Sequence, residues 1–242
     1  MLRFFRQIRQ RLVTDHPHNH PVRAGKFNKY LLYALGEIML VVIGILIAIQ
    51  VDNWNERRQE RQDAVELYKN IRGQLIQDRD NIEGQIIYNN RHMPEYDYAI
   101  GLIEKGQRSK KDSLRAISGN LADYSDFDRQ GNIYTRIVNS GDEKLLKNEE
   151  INNRLRQLEE TYIYINRMET IHYDFIMRFM PELIEVVNMP SKRVMDEDRL
   201  YSGVLQNIFA LSLRIMREKD AVYNGALEEI ETLISLIDQE VD

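Results

Sequence analysis

The sequence predicts an all-α protein with a single transmembrane helix near its N-terminus, which continues into a long stalk helix and is followed by an antiparallel helical bundle. Three observations predict it. Residues 38–49 are apolar throughout apart from Gly44, so a helix over them has no polar face for water. Residues 64–86 set Ala64, Tyr68, Ile71, Leu75, Ile82 and Ile86 at helical spacing among charged neighbours. Residues 155–186 place Leu155, Leu158, Tyr162, Ile165, Glu169, His172, Ile176, Phe179, Leu183 and Val186 on alternating three- and four-residue steps. That alternation is the coiled-coil-like spacing of helices packed side by side.

The first segment, residues 1–29, is a basic head. It carries Arg3, Arg6, Arg9, Arg11, Arg23, Lys26 and Lys29 against Asp15 alone, a net +6 in a chain of formal charge -5, which leaves -11 for the remainder. An acidic remainder excludes nucleic acid as its partner, while the head suits an anionic membrane surface. His16, His18 and His20 lie in "TDHPHNHP", where Pro17 and Pro21 favour a loop over a metal site. The chain has no cysteine, which excludes disulfides, thiolate metal sites and a thiol nucleophile.

Residues 30–51 form the predicted span. As a helix, residues 31–49 reach roughly 28 Å, close to the hydrocarbon thickness of a bilayer. No small-residue cleavage site follows the apolar run, which passes directly into "QVDNWNERRQ"; an uncleaved signal anchor is expected. The flank before it is the richer in Lys and Arg, so the head is expected in the cytoplasm and the C-terminal part outside. Tyr30 and Tyr33 on one side and Trp54 on the other are the expected interfacial anchors. Glu37 is an intramembrane polar residue within the first turns, either an interfacial carboxylate or a polar contact inside a helix assembly. Gly44 and Ala48, with Gly36 and Leu40 continuing the stripe, are the candidate helix-packing positions.

These residues also carry a resemblance. The order "FFRQIRQRL", then "KFNKYLLYALGEIMLVVIGILIAIQVDNWNE", a charged helix, and later "IVNSGDEKLLKNEEINNRLRQL" resembles a family of uncharacterised single-span proteins from Bacteroidetes, the domain of unknown function DUF6090. The likeness is high over residues 1–60 and modest around 133–158. It implies an inner-membrane protein of a Gram-negative cell with its bulk in the periplasm. It implies no activity.

A stalk helix is expected over residues 52–93, continuous with the span, and a periplasmic bundle over residues 94–242 that packs with it. Pro94 is expected to start a short second helix ending near Gly106, ahead of the basic loop "GQRSKKDS". Short helices are expected over residues 114–124 and 133–138, with "NSGDEKLL" a stop and a fresh start near Asp142. The heptad helix is expected to kink or restart at Pro181 and to end by Pro190. A last long helix, from about residue 196 or 200 to 239, presents Tyr201, Leu205, Ile208, Ile215, Val222, Ala226, Leu233 and Ile237 on one face. No strand-rich unit or internal repeat is expected.

Glu169 and His172 stand where the heptad calls for leucine. Glu-x-x-His on a bundle helix is also the spacing of di-iron carboxylate sites, which need two such pairs and two further glutamates. One such pair is present, since Asn89 stands three residues before His92. A polar core layer, with carboxylate and imidazole bonded to each other or to a tyrosine, is the reading the residues favour. There is no Gly-rich phosphate loop, serine elbow or His-Glu-x-x-His zinc motif. The expectation is therefore a protein that acts by protein–protein interaction, without catalysis or cofactor. Its partners would be the bilayer and either further copies of itself or another envelope protein, as an accessory or scaffold subunit. A sensory bundle and a metal-binding bundle built on Glu169 and His172 stand as alternatives.

Overall fold

In a computed structural model, residues 24–127 and 133–241 of the chain are described, with the backbone alone at residues 24–30, 33 and 133. Residues 1–23 of the basic head, with its three histidines, and the side chains of Tyr30 and Tyr33 therefore lie outside the described residues, while the last six residues of the head, 24–29, already belong to the first helix. The described chain is nearly all helix. In order it forms α1 (Ala24–Glu104), a 3-10 turn (Arg108–Lys110), α2 (Lys111–Asn120), α3 (Ile133–Ser140), a second 3-10 turn (Asp142–Leu145), α4 (Glu149–Val186), a two-residue hairpin of β1 (Val187–Asn188) and β2 (Arg193–Val194), α5 (Glu197–Leu200) and α6 (Gly203–Val241).

The chain divides into two compact units, Met1–Gln59 and Glu60–Asp242. In the first, α1 carries the apolar run. Its best 18-residue window has a mean hydropathy of 2.5 and none of it is buried, so this helix is long and apolar enough to cross a membrane. A Cβ added at Gly36 or Gly44 would meet nothing within 4 Å, and Leu40, Ala48 and Glu37 are likewise exposed. Trp54 is 61% exposed, with the Arg58 guanidinium 5.8 Å from its ring.

Two helix boundaries differ from expectation for one physical reason. α1 runs through Pro94 and α4 runs through Pro181, without a break at either. A proline deletes the N–H that would bond the carbonyl four residues back. Pro94 and Asn90 are both exposed, as are Pro181 and Met177, so each proline lies on a solvent-facing side of its helix. The helix feeding the bundle therefore ends not at residue 93 but at Glu104, with Tyr96, Ala99 and Leu102 packed in the core. Its end is where Gly106 was expected to put it. Gly106 adopts φ 58°, its N–H bonds the Ile103 carbonyl at 3.0 Å, and the Gln107 N–H bonds the Leu102 carbonyl at 3.0 Å. That pair of bonds is a left-handed glycine cap, which satisfies two of the orphan carbonyls of the last turn.

α4 starts at a polar cap. The Asn148 side-chain oxygen accepts from the backbone N–H groups of Glu150 at 3.0 Å and Ile151 at 3.2 Å, and Glu149 and Glu150 place negative charge in the first turn. Asn148→Ala is expected to lower stability by about 1 kcal/mol, read as a shift of the urea midpoint with an unchanged slope.

Within the second unit, side-chain pairs fix the directions of the long helices. Arg72 bonds Asp238 at 2.6 Å, Asn89 bonds Asp220 at 2.6 Å and Arg217 bonds Asp97 at 3.0 Å, so numbers rise along α1 as they fall along α6. Asn148 meets Glu240 at 2.6 Å and Arg154 meets Glu229 at 3.0 Å, the same relation between α4 and α6. Tyr162 donates to Asp78 at 2.9 Å and Lys147 stands 3.8 Å from Glu60, so α1 and α4 rise together. The chain between them returns through residues 105–148.

That return is not helical throughout. Residues 114–124, expected as one helix, split: α2 ends at Asn120, and residues 121–127 form a strap, a turn at Leu121 and Ala122 followed by backbone without regular secondary structure. The apolar core falls into two clusters. One gathers Ile71, Leu75, Leu158, Ile165, Tyr223 and Ile230; the other gathers Tyr96, Leu102, Leu121, Phe179, Phe209 and Met216. Leu121 at the start of the strap belongs to the second and Phe127 at its end to the first.

Candidate functional site

Non-helical backbone inside a helical core brings N–H and C=O groups that no ladder satisfies. The strap meets this with side chains from three helices. From α1, Gln85 donates to the Asp126 carbonyl at 2.6 Å, Tyr88 to the Asp123 carbonyl at 3.2 Å, and Tyr96 to the Asn120 carbonyl at 3.0 Å. From α6, the Lys219 ammonium donates to the Ser125 carbonyl at 3.2 Å. From α4, Glu169 Oε1 accepts the Phe127 N–H at 2.6 Å, and the Glu169 carbonyl accepts from the Tyr124 hydroxyl at 3.1 Å.

Glu169 thus stands at a heptad core position because the strap needs an acceptor there. The same Oε1 accepts the Tyr223 hydroxyl at 2.6 Å, one of the two partners the sequence offers a buried carboxylate. His172 is also buried, but its Nδ1 has no hydrogen-bond partner; its ring meets Tyr124 edge-on at 5.8 Å. His92, one layer along α1, sits 4.5 Å from the Tyr88 ring with Nδ1 3.0 Å from Glu95, which Asn120 also engages at 2.9 Å.

The residue that sequence reasoning missed is Lys219, 2% exposed. Its ammonium lies 5.7 Å from the ring centroids of both Tyr124 and Tyr223, a cation–π sandwich. The signal was present. Residues 205, 209, 212, 216, 219, 223, 226, 230, 233 and 237 run in strict four- and three-residue steps, all of them buried, and that register passes through Ser212 and Lys219. The face expected through Ile215 and Val222 sidesteps these polar positions, and both of those residues are only half-buried.

The charges in this layer are mutually adjusted. Burial pushes the Glu169 carboxyl up, against the lowering effect of the Tyr223 and Phe127 bonds and of Lys219. Burial pulls the Lys219 ammonium down, resisted by Glu169, Asp126 and Asp220. His172 is lowered to about 4, by burial first and by Lys219 second, so its imidazole is neutral at pH 7. The Tyr223 phenol is raised by burial and by Glu169, which keeps it a donor. Chemically, the arrangement is a buried carboxylate and a buried ammonium joined through Tyr223, whose hydroxyl bonds Glu169 and whose ring faces Lys219. The positive charge that a metal would bring beside Glu169 is supplied by a lysine, and one carboxylate oxygen is already taken twice. Among the described residues no group of three His, Cys, Asp or Glu is placed to hold a metal ion.

Comparison with known proteins gives one match. The model of a family of unknown function, DUF6090, matches residues 37–180, which take in the apolar run, the strap and Glu169 but not the helix that supplies Lys219 and Tyr223. No curated protein and no solved structure matches the chain.

Proposed function

Because the chain belongs to DUF6090, a family of unknown function, we propose a role built from its own residues: a membrane-anchored helical protein whose antiparallel bundle works by binding another subunit of an envelope complex. The anchor is the apolar stretch of α1 in the inner membrane, single-pass, with the basic head in the cytoplasm and the bundle in the periplasm. The 29 residues before the span carry seven Lys and Arg and the 29 after it carry six, a small excess in favour of that orientation.

The observation that carries the binding role is a second seam on α4. Opposite its core face, residues 160, 163, 167, 170, 174, 177, 181 and 184 are all exposed and follow three- and four-residue steps of their own. Every seventh residue is Ile163, Thr170, Met177 and Ile184, with Ile163 57%, Met177 50% and Ile184 55% exposed. Between them Glu160, Arg167 and Asp174 alternate in sign. An apolar heptad flanked by ordered charges selects a partner helix and its direction. Two copies pairing in register and in the same direction would set Arg167 against Arg167 and Asp174 against Asp174. The charges therefore favour a different subunit, with acid opposite Arg167 and base opposite Asp174.

The absence of cysteine makes the test clean. Single substitutions Ile163→Cys, Thr170→Cys, Met177→Cys and Ile184→Cys, each crosslinked in native membranes, are expected to give one shared adduct, heavier than a monomer and distinct from a dimer of the chain. Glu228→Cys, on the exposed side of α6, is the control. Equal labelling at residue 228, or no adduct at the seam, removes the proposal; adducts of the chain with itself turn the reading to a homo-oligomer.

A further inference from the structure

The strap at residues 121–127 is held by side-chain bonds to its backbone and by apolar packing: Leu121 and Phe127 belong to different cores, and Ala122 and Tyr124 pack against the second. Between those two core residues the carbonyls of Asp123, Ser125 and Asp126 are held by side-chain bonds, so residues 123–126 can open with the Tyr124 ring while Leu121 and Phe127 stay packed. Under it lies His172, 5% exposed with an unpartnered Nδ1 and covered edge-on by Tyr124. A buried ring nitrogen without a partner is a cost that opening the strap relieves, since water then reaches it.

We propose that residues 123–126 are an acid-released strap: protonation of His172 frees them from α1, α4 and α6 while Leu121 and Phe127 stay in their cores. The groups around the histidine set the sign. From α6 it faces the Lys219 ammonium, a like charge once the imidazole is protonated. The strap brings Tyr124, which meets the imidazole edge-on, and Glu169 and Asp126 are the anions that act on Lys219 in the same layer. Closed, the imidazole is held down to about 4; open to water it titrates near 6.5. The closed state therefore keeps its full advantage above about pH 6.5 and loses it as pH falls towards 4. Glu169 works the other way. Its carboxyl is raised when closed, so it takes up a proton more readily in the closed state and partly offsets the histidine.

The test is hydrogen exchange on the full chain in detergent micelles, comparing a peptide over residues 121–127 with one over residues 155–165, after correction for intrinsic rates. Strap opening is expected to rise by up to about 30-fold from about pH 7.5 to about pH 5, with residues 155–165 still protected. His172→Phe, with His172→Leu as a second variant should the first not fold, is expected to flatten that rise. Glu169→Gln is expected to steepen it. Strap protection that does not change with pH, a slope that survives loss of the histidine, or loss of protection at residues 155–165 in step with the strap would each overturn the proposal. The measurement reads the bundle alone, so its failure leaves the anchoring and binding reading standing.

Discussion

Replacing Glu169 by alanine is expected to be the most damaging single change in the bundle, a loss of about 3–5 kcal/mol. Three deficits coincide. The Phe127 N–H and the Tyr223 hydroxyl, bonded to Glu169 Oε1 at 2.6 Å each, lose their acceptor inside the core, where an unsatisfied donor costs about 1–3 kcal/mol. The Lys219 ammonium, 2% exposed, loses the first-ranked of the anions that sustain it. Lys219→Met is expected to behave differently. It leaves Glu169 with both hydrogen-bond donors but without the cation beside it, and gives up one bond to the Ser125 carbonyl; because Glu169, whose carboxyl burial already raises, can take up a proton in response, the cost is expected to be smaller, about 1–3 kcal/mol. The asymmetry is the point of the experiment. Urea unfolding of both variants in the same detergent should place Glu169→Ala well below Lys219→Met; equal losses would mean that the ion pair, and not the needs of the strap, governs the layer.

What could be read in advance follows from how local each signal is. The apolar run of α1, the α4 seam from Leu155 to Val186 and the cap at Gly106 are written in neighbouring residues, and periodicity or a single glycine suffices to read them. The strap is not written locally. "LADYSDF" spaces Leu121 and Tyr124 as a helix would, and what holds its later residues out of a helix are Gln85, Glu169 and Lys219, tens of residues away on three other elements. Glu169 and His172 showed as polar residues in an apolar register, but the reason for them, a length of backbone needing partners, is a tertiary fact. Pro94 did not start a new helix and Pro181 did not restart one: each costs its helix a hydrogen bond and a clash, a loss that a long helix packed over its whole length can carry, and that packing is invisible in a window of sequence. Lys219 was hidden by the habit of reading a lysine as a solvent face. The strict spacing from Leu205 to Ile237 overrules that habit once it is followed through its polar members.

The largest expected effect in the other unit concerns the span, and magnitudes decide how many charges it tolerates. Between residues 38 and 49 the chain carries nine Leu, Ile and Val side chains. At about 0.3–0.6 kcal/mol each near the helix centre, they contribute roughly 3–5 kcal/mol to insertion. One arginine at the centre costs about 2.5–3.5 kcal/mol, so Leu46→Arg alone is expected to leave insertion near balance and part of the chain still in the membrane. Val42→Arg together with Leu46→Arg puts two charges one helical turn apart and exceeds the whole favourable sum, so the double variant is expected to leave the membrane fraction almost completely. Carbonate extraction followed by ultracentrifugation reads the outcome: wild type in the pellet, the single variant divided, the double variant in the supernatant or degraded. Glu37 does not upset this balance, because it stands before the first of these side chains, within reach of the interface, where a carboxylate costs far less than at the centre. A double variant that pellets like the wild type would mean that α1 is held by protein contacts and not by lipid, and the seam on α4 would then have to be considered with a partner that also covers residues 31–51.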